Sequence, residues 1–166
     1  QSKGYRDAEI VSDTVYNINN KHLNIDFVVD PGKKYYFGDI NWSGNYVHND
    51  DLLDRILGIE KGDIYDLELV NKRLQFNPTG ADISSLYMDN GYLFFQVDPI
   101  EVGFDGDSVN LEMRIKEGPQ ATIDKVTISG NDKTNDHVIY RELRTVPGQK
   151  FNRSELIRTQ RELSQL

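Results

Sequence analysis

Tyr35-Tyr-Phe-Gly-Asp-Ile-Asn-Trp-Ser-Gly-Asn45 and Ala121-Thr-Ile-Asp-Lys-Val-Thr-Ile-Ser-Gly-Asn131 follow one pattern, a short apolar run that ends in Ser-Gly-Asn. The two stretches lie 86 residues apart. The same offset places a set of alternating apolar residues and two glycines on matching partners: Leu23, Ile25, Phe27, Val29, Gly32 and Gly62 fall on Val109, Leu111, Met113, Ile115, Gly118 and Gly148. So many matches in one register indicate an internal repeat, whose period is the size of one small domain.

The repeat divides the chain into one complete unit and two partial ones. Residues 33–118 hold the complete unit, residues 1–32 the closing part of a unit before it, and residues 119–166 the opening part of a unit after it. The joints between units are short turns, in which proline fixes φ and glycine relaxes it. Their residues are Pro31, Gly32, Gly118 and Pro119. Such short linkers predict a few preferred angles between units rather than a flexible tether.

The complete unit alternates between apolar spacings typical of strands and of helices, in the order β-α-α-β-β. The predicted elements are a strand at about 37–42, a helix between Asn49 and Gly58, a helix from Asp66, a break at 77–80, a further helical piece up to Asn90, and strands at about 92–104 and 109–116. Asparagine before a helix and glycine after it are typical caps. Strict alternation in the last strand predicts one buried and one solvated face, and therefore an α+β fold.

The composition excludes several classes of function. The 166 residues include 19 basic and 27 acidic side chains, a formal net charge of -8, whereas nucleic-acid binding requires a basic face. The absence of cysteine excludes disulfides and thiolate zinc sites. Apolar runs fall well short of the roughly 20 residues that span a bilayer.

The polar residues predict no catalytic, cofactor-binding or metal-binding site. His22, His48 and His137 occupy unrelated positions of the repeat and lack partners at ligand spacing. The stretch 105–110 begins like a calcium loop but lacks its glycine and its closing glutamate, so a hairpin turn is the favoured interpretation. The aspartates of 50–54 lie where a helix begins, and capping explains them. We therefore expect no enzyme activity and no cofactor.

Three motifs recur in an order and spacing that resemble a POTRA (polypeptide-transport-associated) domain. They are Ser-Gly-Asn at 43–45 and 129–131, Gly91-Tyr92 before the second strand, which matches Gly4-Tyr5 at an offset of 87, one insertion from the period, and the close of the unit at 109–118. The resemblance covers essentially the whole chain. It implies a three-stranded mixed sheet with helices on one face, the third strand in the middle and the second strand at an edge. Tandem units with such short joints resemble the periplasmic arms of BamA-like outer-membrane β-barrel assembly factors.

The resemblance implies a polypeptide-binding scaffold at the periplasmic face of the outer membrane in a Gram-negative envelope, attached to the membrane only through a barrel outside this chain. Its implied partners are unfolded outer-membrane protein precursors and accessory assembly subunits. The second strand would bind them by strand addition, because an edge offers unpaired backbone N–H and C=O groups to an extended client. The residues assigned to this site are Leu93, Phe94, Phe95, Gln96, Val97, Asp98, Ile100 and Val102, with a partial counterpart at 10–18.

Three other functions remain open from the sequence. The first is a translocation arm, as in two-partner secretion or TamA-like transporters. The second is a purely structural spacer, which differs from a scaffold in that its strand edge binds no peptide. The third is a hydrolase with an active site between units, although the sequence offers no convergent histidine, serine and carboxylate set for it.

The partial units predict an uncovered apolar face at each end of the chain. Residues 1–32 supply closing strands without helices, and residues 119–166 supply a first strand and helices without closing strands. The exposed sets are Leu23, Ile25, Phe27 and Val29 at one end, and Val126, Ile128, Val138, Leu143 and Leu156 at the other. The complete unit separates the two parts within one chain, so we expect one of two outcomes. Either the parts close between molecules by head-to-tail self-association, or the native protein has more chain and the exposed ends fray in solution.

Overall fold

The computed structural model describes residues 3–19, 22–75, 77 and 81–165. Its elements, in chain order, are β1 (Glu9–Asn19), β2 (His22–Asp30), β3 (Tyr36–Ser43), α1 (Asp50–Leu57), α2 (Leu67–Leu74), α3 (Ile83–Met88), β4 (Gln96–Asp105), β5 (Ser108–Lys116), α4 (Asp136–Glu142) and α5 (Arg153–Leu163). β1 and β2 pair as a two-stranded antiparallel sheet, and β3, β4 and β5 form a three-stranded sheet. The chain therefore has the α+β architecture that its sequence predicts.

The three-stranded sheet has the order β3-β5-β4, so that β5 lies in the middle. β5 pairs in parallel with β3 and antiparallel with β4. The stretch 105–108 is the predicted hairpin turn, and Gly106 adopts the left-handed conformation there with φ of 61°. The mixed sheet, its central third strand and its second strand at an edge are thereby confirmed.

The core of this unit forms between β5 and the helices on one face of the sheet. Val109, Leu111 and Met113 of β5 have no exposed surface, whereas the alternate positions are half-buried at Asn110 and Glu112 and exposed at Arg114 and Lys116. The buried apolar partners from other elements include Phe37, Leu53, Leu57, Val70, Leu74, Ile83 and Tyr87, all without exposed surface. Burial of so many large apolar side chains is the main stabilising contribution to the unit.

Polar caps set where the first two helices begin. The side chain of Asn49 accepts a hydrogen bond from the backbone N–H of Leu52 at 3.2 Å. Gly58 ends α1 in the left-handed conformation, with φ of 57°, and donates its N–H to the carbonyl of Asp54. Asp66 caps α2 by accepting from two backbone N–H groups of its first turn. These caps lie where the sequence predicts them.

The helical piece predicted after the break at 77–80 is α3, so this unit has one helix more than the order β-α-α-β-β. Pro78, Thr79 and Gly80 lie outside the described residues. Asp82 caps α3 although it is only 1% exposed. Its carboxylate accepts bonds from the N–H and hydroxyl of Ser85, at 2.8 and 2.9 Å, and from the N–H of residue 77 at 2.9 Å. These bonds offset the cost of burying the charge.

β4 begins at Gln96, later than the predicted start near Tyr92. The chain before it turns instead, because its N–H groups bond locally. Tyr92 donates to the carbonyl of Tyr87 at 3.2 Å, and Phe95 donates to the carbonyl of Tyr92 at 3.1 Å. The assignment of residues 93–95 to the second strand is therefore wrong, and they lie in the turn that precedes it.

The first strand predicted for the last unit does not form. Residues 121–130 contain no strand, and one isolated bridge joins Thr122 to Lys150. The equivalent strand β3 is held by its ladder with β5, and no described residue supplies such a partner to 121–130. The helices α4 and α5 do form where the repeat places them. Strand formation in this unit therefore depends on a neighbour, whereas helix formation is local.

Hydrogen bonds recur at the spacing of the repeat. Asn45 donates its side-chain amide to the carboxylate of Asp50 at 2.7 Å, and Asn131 donates in the same way to Asp136 at 2.5 Å. The asparagine of the Ser-Gly-Asn motif thus ties the chain that precedes the helix to the first turn of that helix in both units. The motif has a structural role, which explains its recurrence.

We expect Leu111→Ala to lower the free energy of unfolding by about 2–5 kcal/mol, because it opens a cavity beside the central strand. The repeat supplies a matched control. Ile25 occupies the equivalent position on β2 and is 50% exposed, so Ile25→Ala should cost about 0.5 kcal/mol or less in dilute solution. Urea denaturation followed by the fluorescence of Trp42, the single tryptophan, measures both. Equal losses for the two variants would contradict this account of the core.

Candidate functional site

β4 is an edge strand with free backbone groups on its outer side. Among the described strands it pairs with β5 alone. Of the eight residues assigned to client binding from sequence, the five that lie on β4 are Gln96, Val97, Asp98, Ile100 and Val102. An extended polypeptide can add to such an edge through backbone hydrogen bonds with little demand on its own sequence.

The side chains of these residues divide between the core and the solvent. Phe95 and Val97 are 5% and 4% exposed and belong to the core, whereas Phe94 and Val102 are 59% and 52% exposed. A residue such as Val97 can therefore contribute only its backbone to a client strand. The exposed residues remain available for side-chain contacts.

A groove of about 430 Å³ lies beside the first part of β4. Its lining consists of Phe95, Gln96, Val97 and Asp98 from the chain at the start of β4, with Gln75 and Ser84 from the ends of α2 and α3. The guanidinium of Arg153, from the last unit, lies 3.4 Å from the carbonyl of Gln75 and 3.5 Å from the hydroxyl of Ser84. The groove thus combines a free strand edge, a helical wall and a nearby cation.

Pro99 interrupts the hydrogen-bonding capacity of β4. It lies opposite Met113 in the ladder and has no N–H to donate. Proline is tolerated at an edge when the missing N–H would point away from the neighbouring strand, so we infer that position 99 faces the free edge. The edge then offers an N–H at Val97 but none at Pro99. An added strand would therefore find backbone donors mainly at the start of β4.

A charged cluster at the first joint, between residues 1–32 and 33–118, ties β4 to the preceding unit. We refer to Arg6, Asp7, Tyr35, Tyr65 and Glu101 as the first-joint cluster. The guanidinium of Arg6 donates to the carboxylate of Glu101, with a shortest N–O distance of 2.7 Å, and to Asp7 at 2.9 Å. The hydroxyl of Tyr65 donates to Glu101 at 2.7 Å, and that of Tyr35 to Asp7 at 2.6 Å.

An aromatic ring covers part of this cluster. The guanidinium of Arg6 lies 5.1 Å from the centre of the Phe104 ring, and the ring of Tyr35 meets Phe104 edge-on at 6.2 Å. A cation above an aromatic face is stabilised by the ring quadrupole. The two units are therefore joined by side-chain contacts as well as by the linker.

The electrostatics of the first-joint cluster follow from these contacts. The hydrogen bond from Arg6 lowers the pKa of Glu101, and the hydrogen bond from Tyr35 lowers the pKa of Asp7. Burial, with a further effect of its bond to Glu101, raises the pKa of Tyr65. Both carboxylates are therefore ionised at neutral pH, and the cluster is held by a charge-assisted bond between Arg6 and Glu101.

The same backbone bond closes both joints. The N–H of Tyr35 donates to the carbonyl of Gly4 at 2.8 Å, and 86 residues later the N–H of Ala121 donates to the carbonyl of Gly91 at 2.8 Å. Each bond joins the first residues of one unit to the turn before the second strand of the preceding unit. The repeat therefore extends to the way the units are joined.

The second joint, between residues 33–118 and 119–166, is held at the start of α5. The carboxylate of Asp89 accepts bonds from the N–H and the hydroxyl of Ser154, at 2.8 and 2.6 Å. The side-chain amide of Asn152 donates to the carbonyl of Asp89 at 3.0 Å. A carboxylate at the N-terminus of a helix satisfies a free N–H group and interacts favourably with the helix dipole. Asp89 therefore caps a helix of the next unit.

The joint residues predicted from sequence lie where the backbone needs glycine. Gly32 and Gly118 have φ of 64° and 68°, in the left-handed region. A Cβ at Gly118 would lie 3.1 Å from the Cβ of Phe94. Pro31 and Pro119 flank these glycines and are exposed. The expectation of a few preferred inter-unit angles stays a prediction.

The side chains that hold the joints together were not predicted from the sequence. Arg6 and Glu101 are 95 positions apart, and neither belongs to a repeated motif. The Gly-Tyr match, at an offset of 87, places Leu93 and Phe94 at the positions of Arg6 and Asp7, so the chemistry of the two joints differs. The sequence feature that could have located the joints was the match of Gly4-Tyr5 with Gly91-Tyr92. Gly4 and Gly91 supply the carbonyls that accept the backbone hydrogen bond found at both joints.

The described residues contain no cluster of three or more histidine, cysteine, aspartate or glutamate side chains that could hold a metal ion. In the same ranges, no helix has the length and hydropathy needed to cross a bilayer. The three histidines lie on separate elements, His22 on β2, His48 before α1 and His137 on α4.

A comparison with protein families identifies the repeat. The family model POTRA, described as a surface antigen variable number repeat, matches residues 35–118 and again residues 121–166. The two matched segments cover most of the chain and coincide with the second and third units of the repeat.

Curated relatives are similar along nearly the whole chain. The outer membrane protein assembly factor BamA of Nitratidesulfovibrio vulgaris is 27% identical over 165 residues, which are 97% of this chain and 20% of that protein. BamA of Neisseria meningitidis serogroup B is 24% identical over 154 residues, which are 88% of this chain and 19% of that protein. The chain thus spans about a fifth of the length of these relatives.

A solved structure shares the fold. The crystal structure of Haemophilus influenzae BamA POTRA3-5 superposes with a TM-score of 0.76 and 18% sequence identity. The superposition covers 99% of this chain and 63% of that one. The succession of units in this chain therefore follows an arrangement seen in an experimental structure.

A double-mutant cycle tests the first-joint cluster. We expect a coupling of about 1 kcal/mol between Arg6→Ala and Glu101→Gln, because their bond is charge-assisted and partly shielded from water. The control is the pair Lys61 and Asp39, whose 2.7 Å ion pair is well exposed and should give about 0.5 kcal/mol or less. Denaturation followed by Trp42 fluorescence measures both cycles. A first-joint coupling no larger than the control would refute the role of the bond.

The same cluster predicts a pH dependence. The pKa of Glu101 is lowered in the folded chain, so its stabilising contribution is fully present above the ordinary glutamate pKa of about 4.3 and is lost as pH falls through the lowered value. Glu101→Gln should therefore flatten the dependence of the unfolding free energy on pH between about 3 and 5. Denaturation curves at several pH values test this. If the unfolding free energies of the wild type and of Glu101→Gln depended on pH in the same way, the stabilising role of the ionised Glu101 would be refuted.

Proposed function

We propose that this chain, which belongs to the POTRA family, is part of the periplasmic arm of an outer-membrane protein assembly factor. The support is that relatives named outer membrane protein assembly factor BamA match 97% and 88% of the chain. The proposed role is that of a polypeptide-binding scaffold without catalytic activity. Its proposed partners are unfolded outer-membrane protein precursors and accessory assembly subunits.

The observation that carries this proposal is the free edge of β4 beside its groove. A client segment would lie along Gln96–Asp98 as a further strand, with backbone bonds to β4 and side chains directed alternately toward the groove. Backbone recognition places little demand on the client sequence. That property suits a scaffold that handles many different precursors.

Two features limit how far a client strand can extend. Pro99 offers no N–H, and Arg6 holds Glu101 on the second half of β4. The proposed site is therefore a short edge at the start of β4 rather than the whole strand. A short edge gives weak, reversible binding, because few backbone bonds form and the client must be ordered. Weak binding suits transfer of a precursor rather than its storage.

The residues just before β4 do not belong to the edge strand, and we assign them a different role. Leu93 and Phe94 occupy the repeat positions of Arg6 and Asp7, which contact the following unit at the first joint. We propose that they contribute to contacts between units or with an accessory subunit rather than to the strand edge itself. Their exposure of 39% and 59% leaves them available for either contact.

A structural spacer is the second candidate function, and the joints favour it. Both joints carry the same backbone bond, and each is reinforced by side-chain contacts across the units. Such contacts favour a stiff arm that sets distances in the envelope. A translocation arm shares this architecture, and the strand edge distinguishes either binding role from a spacer.

Site-specific crosslinking tests the scaffold proposal. The chain has no cysteine, so Asp98→Cys carries a single photo-crosslinker beside the proposed client strand. We expect it to capture an extended peptide with alternating apolar residues. Lys61→Cys, on an exposed loop outside the groove, is the matched control and should capture little. A proline at Val97 would remove a backbone donor from the edge, but it would also disturb a core residue and so would not isolate client binding.

The peptide provides the second arm of this experiment. Methylation of alternate backbone nitrogens on the side facing β4 should abolish capture at Asp98→Cys, because it removes the donors of the added strand. Methylation of the other alternate set should leave capture intact. Equal capture at both cysteine positions, or loss with both peptides, would count against strand addition and favour the spacer.

A further inference from the structure

A second groove lies on the helical side of the complete unit and has a volume of about 470 Å³. Residues of α1, α2 and α3 line it, among them Arg55, Ile56, Arg73 and Leu86, and we refer to it as the arginine groove. Ile56 and Leu86 are half-buried and pack against the core, so they form an apolar floor. The hydrogen bonds that hold the two joints use residues other than these four, so the groove belongs to the complete unit itself.

The two arginines of this groove have no internal counter-charge. Arg55 is exposed and Arg73 is half-buried, and neither guanidinium makes a hydrogen bond or an ion pair with a described residue. The carboxylates that line the same groove are engaged elsewhere, since Asp82 accepts bonds from Ser85 and Asp89 caps α5. A guanidinium is rarely withdrawn from water unless an anion accompanies it. Two such cations in one groove favour an anion from outside the chain.

The last unit pairs the equivalent arginine internally. At the repeat offset of 86, Arg55 matches Arg141, whose guanidinium lies 2.9 Å from the carboxylate of Glu142. An apolar residue of the groove floor stands in the complete unit where Glu142 stands in the last one. Arg73 matches Thr159, which carries no charge. At these positions the complete unit therefore has one carboxylate fewer and one guanidinium more.

The groove also defines the chemistry of the anion that fits it. A guanidinium binds carboxylates and phosphates through paired N–H bonds. Asp82 and Asp89 line the same groove, and their charges disfavour a doubly charged phosphate more than a singly charged carboxylate. The apolar floor adds a requirement for an apolar group beside the anion. A polypeptide segment in which acidic side chains flank an apolar one meets all three conditions.

α3 separates the arginine groove from the groove beside β4. Ser85 lines the arginine groove, whereas its neighbour Ser84 lines the groove beside β4. Adjacent residues of a helix project in different directions, so the two grooves open on different sides of α3. A segment bound in one groove therefore leaves the other open, and the complete unit has room for a client and a partner at the same time.

We propose that the arginine groove is a docking site for an acidic segment of a partner protein. An apolar side chain of that segment packs on Ile56 and Leu86, and its flanking carboxylates bind the guanidiniums of Arg55 and Arg73. This site goes beyond the proposed strand addition and does not depend on it, because the two surfaces lie on different sides of α3.

Fluorescence anisotropy with two labelled peptides tests this site. One peptide carries two glutamates that flank a leucine, and the other has glutamines in their place. We expect roughly tenfold tighter binding of the glutamate peptide, because only carboxylates form charge-assisted bonds to the arginines. Arg55→Gln and Arg73→Gln should each remove most of this preference. Arg114→Gln, on an exposed position of β5, is the matched control and should retain it.

The charge of the chain makes this preference diagnostic. The net charge of -8 repels an acidic peptide in general, so a preference for glutamate over glutamine requires a local cation site. Equal affinity for both peptides, or a preference that survives both arginine variants, would overturn the proposal. Arginine-dependent binding of phosphatidylglycerol vesicles, with no binding of the glutamate peptide, would also overturn it, because the ligand would then be a lipid headgroup.

Crosslinking locates the bound peptide independently of the arginine variants. Ala81 is exposed and lines the arginine groove, so Ala81→Cys with a photo-crosslinker should capture the glutamate peptide, whereas Lys61→Cys should not. An excess of the alternating apolar peptide used with Asp98→Cys should leave this capture unchanged. The two experiments thereby separate failure of this site from failure of strand addition. Displacement by the alternating peptide, or equal capture at both cysteines, would contradict a separate docking site.

Discussion

The central strand β5 is the constraint on which the ordered unit depends. β3 binds it in parallel and β4 antiparallel, so neither outer strand has a ladder without it. Its alternate side chains also fill the core beneath the helices. The partial units show what happens when a strand and its usual partners are separated. β2 exposes the face that β5 buries, and residues 121–130, without a central neighbour, form no strand.

The joints combine a repeated element with a variable one. The bond to the carbonyl of Gly4 recurs at Gly91, because it uses backbone groups that the repeat preserves. The side-chain contacts differ, since a charged cluster around Arg6 holds the first joint and Asp89 caps a helix at the second. A common backbone bond sets the connection between units, and different side chains adjust each joint separately.

An unpaired edge strand risks pairing with other copies of the same protein, because its backbone groups are open to any extended chain. β4 limits this risk in two ways that are visible in the structure. Pro99 removes a donor from the middle of the edge, and the side-chain bond of Arg6 to Glu101 places the preceding unit beside its second half. What remains free is the short stretch beside the groove, and this restricts the length of any added strand.

The sequence by itself determined the repeat, the α+β class, the capped helices and the position of the hairpin turn, because these depend on local periodicity and on the conformational preferences of asparagine, aspartate and glycine. It could not determine where β4 begins, because local bonds to Tyr87 and Tyr92 compete with the strand there. It could not pair Arg6 with Glu101, since the fold alone brings together residues that are 95 positions apart. Nor could it show that residues 121–130 form no strand. A strand requires a neighbouring strand, and periodicity shows only which residues could face such a neighbour.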